Sequence, residues 1–92
     1  MFICIAGKNE CAVDAIKFLL YKKIEKNKIL VLPNFNDRGE DDWQPSLKKF
    51  ARKNRIKITN LEKLYSVKQL FFFSLEYDKI ININKFKSVN LF

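Results

Sequence analysis

Residues 2–20 read Phe2-Ile-Cys-Ile-Ala-Gly-Lys-Asn-Glu-Cys-Ala-Val-Asp-Ala-Ile-Lys-Phe-Leu-Leu20. The opening Phe2 to Ala6 is apolar without a break, and Gly7 ends it. An unbroken apolar run fits a strand buried on both faces, the habit of parallel sheets. After Lys8-Asn9-Glu10 the spacing changes. Ala12, Ala15, Ile16, Leu19 and Leu20 recur at i, i+3, i+4, i+7 and i+8, one stripe of a helix. Asn9 is the expected N-cap of that helix. A strand of this kind that feeds an amphipathic helix is the front of a βαβ unit, and it sets the expectation of further strands alternating with helices.

The rest of the chain continues the alternation. Ile29 to Leu32 is a second apolar run, stopped by Pro33, and Asn34 to Asp42 is a polar loop rich in turn residues. Pro45 is expected in the first turn of a helix with the stripe Leu47, Phe50 and Ala51, its wet side carrying Lys48, Lys49, Arg52 and Lys53. Ile56 and Ile58 flank Lys57 in a short strand of edge type. Asn60 is expected to cap a helical turn over Leu61 to Tyr65, with Ser66 opening another. Leu70 to Phe73 is a strong buried strand. Between Leu75 and Ile81 periodicity leaves a turn and a strand continuation both open, and Val89 to Phe92 reads as the approach to another strand or as that strand itself. The whole predicts an α/β fold with a mostly parallel sheet and right-handed crossovers. No repeat or linker divides it, so residues 1–92 form a single unit.

Composition narrows the chemistry. Ninety-two residues make one domain or part of one. With 48% apolar and 30% charged residues the chain is globular rather than disordered. No apolar run approaches the roughly 20 residues of a membrane span. Lys8, Glu10 and Asp14 break any signal-peptide pattern, so a cytoplasmic protein with no membrane partner is expected. The absence of histidine excludes a Ser-His-Asp triad, a Cys-His dyad and a histidine-rich metal site. Cys4 and Cys11 fit no zinc spacing and are expected to be reduced, buried thiols.

The formal charge of +8 points to anionic partners such as phosphates, nucleotides or nucleic acid. Its basic residues concentrate in Lys22 to Lys28 and Lys48 to Lys57, where they suit wet helix faces and C-terminal turns. A nucleic-acid-binding module acting through those two stretches is the alternative, although RNP, KH and helix-turn-helix signatures are missing. Asp37, Glu40, Asp41 and Asp42 do not follow the calcium-loop pattern; they are expected to be solvated loop and helix N-terminal charges.

In open α/β sheets ligands bind outside the carboxyl ends of the strands. The first strand delivers Gly7, Lys8 and Asn9 to a helix start. There a glycine permits close backbone approach and a lysine adds positive charge, a setting for a phosphate or a polar sugar. It is neither GxGxxG nor a P-loop, since Gly7 and Gly39 are the only glycines. The second strand delivers the Asn34–Asp42 loop and Trp43, either a half-buried anchor or a face on which a base or sugar stacks. The Leu70–Phe73 strand delivers Leu75, Glu76 and Tyr77, where a flat ligand could lie with its edge against the backbone. Glu76 and Asp78 stand two apart, but nothing marks them as an acid/base pair.

Three stretches carry a family resemblance. Residues 1–20 resemble the first strand and helix of the formyltransferase family, whose members use formyl-tetrahydrofolate to formylate an amine. Gly39-Glu-Asp-Asp-Trp-Gln-Pro-Ser-Leu-Lys-Lys-Phe-Ala51 is similar to the family's sugar branch, in which an acidic-Trp-Gln-Pro-Ser-Leu segment opens the second helix. Phe72-Phe-Ser-Leu-Glu-Tyr-Asp-Lys-Ile-Ile81 is similar to the same branch. The resemblance implies a Rossmann-like sheet with flanking helices, incomplete relative to the family domain. It implies that Gly7, Lys8, Asn9 and Trp43 border a dTDP-linked amino sugar, and that Leu75, Glu76 and Tyr77 lie near the folate pterin. The family segment like Lys87-Ser-Val-Asn-Leu-Phe92 runs on into Asn-x-His, then Ser-Leu-Leu-Pro and a later catalytic Asp. This sequence has no such residues, so it is expected to be an N-terminal portion without turnover, open to self-association through a sheet edge.

Overall fold

Phe2–Gly7 (β1) is followed by Asn9–Tyr21 (α1), Ile29–Pro33 (β2), Leu47–Lys53 (α2), Lys57–Ile58 (β3), Leu61–Tyr65 (α3), Leu70–Leu75 (β4) and Val89–Leu91 (β5). These come from a computed structural model that describes residues 1–79 and 81–92. The five strands form one sheet in the order β3-β2-β1-β4-β5, every neighbouring pair parallel. In its centre Ile5 lies opposite Val31 on one side and Phe73 on the other.

The unbroken apolar run of β1 is explained by burial on both faces. Ile3 and Ile5 join Val13, Ile16, Val31 and Leu47 in a core under α1 and α2. Cys4 and Ala6 point the other way, into a core with Leu30, Leu64, Leu70 and Phe72 under α3. Ile16 and Phe72 are fully buried, and each such side chain contributes about 1.5–3 kcal/mol. The Phe72 ring meets Tyr77 and Phe86 edge-on at centroid distances of 6.4 and 6.0 Å. Cover is uneven on the first face. α1 and α2 lie over β1, β2 and β3, while Phe71 and Phe73 of β4 are half-buried and stack on the ring of Phe92 at 6.1 and 4.8 Å.

The structure resolves the points that periodicity leaves open and corrects others. β4 runs through Leu75, and Val89–Leu91 is a strand in its own right. Beyond it the Phe92 N–H donates to the Phe72 carbonyl. Within the undecided stretch, Ile80 lies outside the described residues; a 3-10 turn follows at Ile83–Lys85. Asn60 caps α3 as expected, its side chain accepting the Lys63 N–H at 2.9 Å. Ser66 opens no helix; it is the C-cap of α3. Pro45 precedes α2 rather than lying in its first turn, because Ser46 takes the N-cap position. Cys4 is buried, and burial pushes its thiol pKa far up. Cys11 is exposed, against expectation, because it falls outside the apolar stripe that begins at Ala12. No helix among the described residues is long and apolar enough to cross a membrane.

Candidate functional site

The chain builds β1, β2 and β3 outward in one direction, then returns to lay β4 and β5 on the far side of β1. The direction of winding therefore reverses between β1 and β4, and a doubly wound sheet opens its ligand crevice at the carboxyl end of that reversal. Gly7-Lys8-Asn9 and Leu75-Glu76-Tyr77, far apart in sequence, meet there. Gly7 pairs with Leu75, and the Lys8 N–H donates to the Leu75 carbonyl at 3.3 Å.

Gly7 has φ +146, and a Cβ on it would lie 1.8 Å from the Leu75 carbonyl oxygen. The close approach this glycine makes possible is thus to the neighbouring strand. Asn9 is not the N-cap. Lys8 holds that position in extended conformation without a side-chain cap, and Asn9 is the first helical residue, at φ +64. Asparagine tolerates this left-handed geometry better than most residues. The Asn9 side chain makes no capping bond and lines the adjoining cleft instead.

That cleft, about 450 Å³, is bordered by Lys8, Asn9, Arg38, Glu40, Asp42 and Trp43, among others. Its outer wall is the Asn34–Ser46 loop, and carboxylates fold that loop onto α2. Asp37 accepts the Gly39 N–H at 2.9 Å, the Ser46 hydroxyl at 2.6 Å and the Lys48 N–H at 2.9 Å. Asp41 accepts the Ser46 N–H at 2.8 Å and pairs with the Lys49 ammonium at 3.1 Å. The Ser46 hydroxyl in turn accepts the Lys49 N–H at 3.0 Å. These are charges at a helix N-terminus, where the dipole favours them. The Ser46 N–H and then the Lys49 ammonium hold the Asp41 carboxyl below its ordinary pKa. Trp43 is 86% exposed and so is no half-buried anchor; its ring stands free at the rim. No group of three His, Cys, Asp or Glu among the described residues is placed to hold a metal ion.

The β4 end is organised by a residue that sequence reasoning treats only as loop. Asn34 is 3% exposed. Its side-chain amide donates to the Glu76 carbonyl at 3.0 Å and accepts the Asp78 N–H at 3.2 Å. Its own N–H donates to the Gly7 carbonyl at 3.0 Å. One residue, through its side chain and its backbone N–H, thereby ties the ends of β1, β2 and β4 together. The usable sequence signal is an amide side chain directly after Pro33, at the end of a buried strand. The Glu76 carbonyl is engaged by Asn34 and the Leu75 carbonyl by the Lys8 N–H, each within the fold. Leu75 is half-buried against the α1 side, and Glu76 is exposed at φ +62. Tyr77 opens onto a second cleft of about 400 Å³, with Pro33, Phe35, Leu61 and Lys79, on the α3 side. Burial, with the Asp78 carboxylate adding to it, pushes the Tyr77 phenol pKa up. Lys8, Asn9 and Trp43 therefore share one cleft, Tyr77 faces another, and the Gly7–Leu75 seam runs between them.

The chain matches no protein-family model and no curated protein. Solved structures do match, two of them as follows. The crystal structure of WlaRD, a sugar 3N-formyltransferase in the presence of dTDP and 5-N-formyl-THF, superposes with a TM-score of 0.91 at 52% identity, covering 96% of this chain and 32% of that one. The N-formyltransferase from Helicobacter canadensis, in complex with folinic acid and dTDP-3-aminofucose, gives a TM-score of 0.91 at 46% identity, covering 96% of this chain and 33% of that one. The chain spans about a third of the length of these two structures.

Proposed function

We propose that this chain, which carries the N-terminal, Rossmann-like portion of the sugar N-formyltransferase fold, shapes the substrate walls of a dTDP-linked amino-sugar N-formyltransferase. The observation that carries the reading is the 52% identity over 96% of the chain. The site chemistry agrees with it. Lys8 and Arg38 share the first cleft with Asp37, Glu40, Asp41 and Asp42. A mixed-sign cleft suits a ligand with a diphosphate at one end and an amine at the other, and Trp43 offers a face to its base or sugar. Gly7 holds the seam behind them, and Leu75, Glu76 and Tyr77 border the folate side.

In the reaction the sugar amine attacks the formyl carbon of formyl-tetrahydrofolate. The bond to the folate nitrogen breaks, and the amine gives up a proton to a general base. The shifted groups of this chain do not suit that base. Asp41 is made a weaker base by its hydrogen bonds, and Tyr77 stays a phenol at neutral pH. With no histidine to take the proton, the 92 residues bind and orient but do not turn over. The cytoplasm is their compartment.

Two measurements test this. Incubation with formyl-tetrahydrofolate and a dTDP-linked amino sugar is expected to yield no formylated product; product above blank refutes the inactivity. Titration with dTDP is expected to quench the fluorescence of Trp43, the sole tryptophan. A flat titration with both dTDP and folinic acid overturns the assignment of the walls.

A further inference from the structure

All five strands point the same way, so every turn that leads from a helix into a strand lies at the pole opposite the candidate site. Those turns are strongly basic. The turn into β2 carries Lys22, Lys23, Lys26 and Lys28, and the turns into β3, β4 and β5 add Arg55, Lys68 and Lys87. All seven are exposed, and Glu25 is the one acid among them. The ion pair found among the described residues, Lys49 with Asp41, lies at the other end. The opposite turns hold six acids, from Asp37 to Asp78, against Lys8, Arg38 and Lys79. Helix C-termini favour cations only within their last turn, which does not account for Lys68 or Lys87.

Aromatic rings accompany the charge. Phe18 and Tyr21, on the last turns of α1, are 58% and 79% exposed, and the Lys22 ammonium lies 5.7 and 5.9 Å from their ring centroids. We propose that this amino-end pole is a docking surface for an anionic lipid bilayer. The charge separation orients the molecule: the basic pole turns to a negative plane, and the acidic, site-bearing end faces solvent, where ligands can reach it. Exposed rings beside lysines are the two signals that peripheral binding uses, shallow insertion and electrostatic attraction. Six of the seven cations are lysines, point charges suited to a diffuse headgroup layer, whereas nucleic-acid readers favour the arginine fork. Docking on a bilayer is peripheral and needs no spanning segment, so it revises only the expectation that no membrane takes part.

The test is co-sedimentation of the 92-residue chain with vesicles of phosphatidylglycerol and phosphatidylethanolamine, beside vesicles of phosphatidylcholine and a single-stranded oligonucleotide. Binding to the anionic vesicles is expected, with loss as salt is raised. Lys22→Glu with Lys23→Glu should weaken it by about 25-fold or more, at roughly fivefold per lysine. Tyr21→Ala should weaken it severalfold without changing the salt dependence. Lys26→Glu with Lys28→Glu repeats the test should the first variant misfold. The proposal is overturned by no binding at low salt, by equal binding to phosphatidylcholine, by tighter binding to the oligonucleotide, or by folded charge variants that bind as well as the parent. None of these readouts uses dTDP or folate, so the assignment of the clefts stands or falls separately.

Discussion

The seam between β1 and β4 runs between the two clefts, the loop from Asn34 to Ser46 walls the first of them, and different physics holds each in place. The seam is held by backbone geometry: Gly7 lies too close to the Leu75 carbonyl for any side chain, and buried Asn34 clamps Glu76 and Asp78. No bond in it needs an ionised group. The loop is held by the carboxylates of Asp37 and Asp41, reaching across to the start of α2. The site thus combines a wall fixed by sterics with a wall fixed by charge. Only the second should respond to acid, and the first should answer hardest to mutation.

The largest effect is expected at Gly7. Gly7→Ala places a methyl on the Leu75 carbonyl and asks alanine to adopt φ +146. Strain plus a broken β1–β4 register should cost about 3 kcal/mol or more, read from the urea midpoint. A variant of unchanged stability would show that the seam yields and that the steric account is wrong. Next comes Asn34→Leu, which strands the Glu76 carbonyl and the Asp78 N–H without partners. About 2–3 kcal/mol should be lost, and amide exchange at Asp78 should quicken before exchange in the strand itself. Exchange that stays slow would mean that the turn holds without its clamp.

These two residues also mark where the sequence stops being readable. β1, β4 and α1 are legible because both-face burial and the helical stripe leave their periods in the order of residues. The Asn60 cap is legible because its partner is three residues away. Gly7 stands out for its freedom, but its purpose depends on Leu75, brought alongside only when the chain returns across β1. Asn34 bonds residues 42 and 44 positions away, a distance at which no local pattern survives. The general habit of cysteine misleads at Cys11, although its own place off the Ala12–Ile16 stripe predicts exposure. The acids from Asp37 to Asp42 read as solvated loop and helix N-terminal charges: Asp37 and Asp41 serve the start of α2, since Ser46 and Lys49 lie within reach along the chain, while Glu40 and Asp42 are exposed in the loop.

A third, smaller effect probes the charged wall. Asp37→Ala removes the acceptor for Gly39, Ser46 and Lys48 and should cost about 1–2 kcal/mol, with α2 fraying at its start. Acid should loosen the same wall. Asp41 has a folded pKa below its ordinary value, so its contribution is present above about pH 3.9 and is lost as pH falls through the folded value. The Ser46 amide signal, from the N–H that Asp41 accepts, should broaden in that window while the Leu75 and Asp78 amides stay protected. Simultaneous loss of both sets would erase the distinction between the two walls.

The smallest effect on stability is expected at Trp43, and it sharpens the comparison most. At 86% exposure its ring is buried against nothing, and the loop that carries it is held by Asp37 and Asp41. Trp43→Ala should therefore shift the urea midpoint by no more than about 0.5 kcal/mol. A flat ring at a cleft rim offers a face that a ligand can cover in use. If that cover is the base or sugar of a bound nucleotide, Trp43→Ala should abolish dTDP binding by calorimetry while the fold is untouched. Asp37→Ala should then weaken binding through a disordered wall, and Asn34→Leu should weaken it less. Unaltered dTDP binding in Trp43→Ala would leave the ring without a part in the site and shift the recognition of the nucleotide onto Lys8 and Asn9 alone.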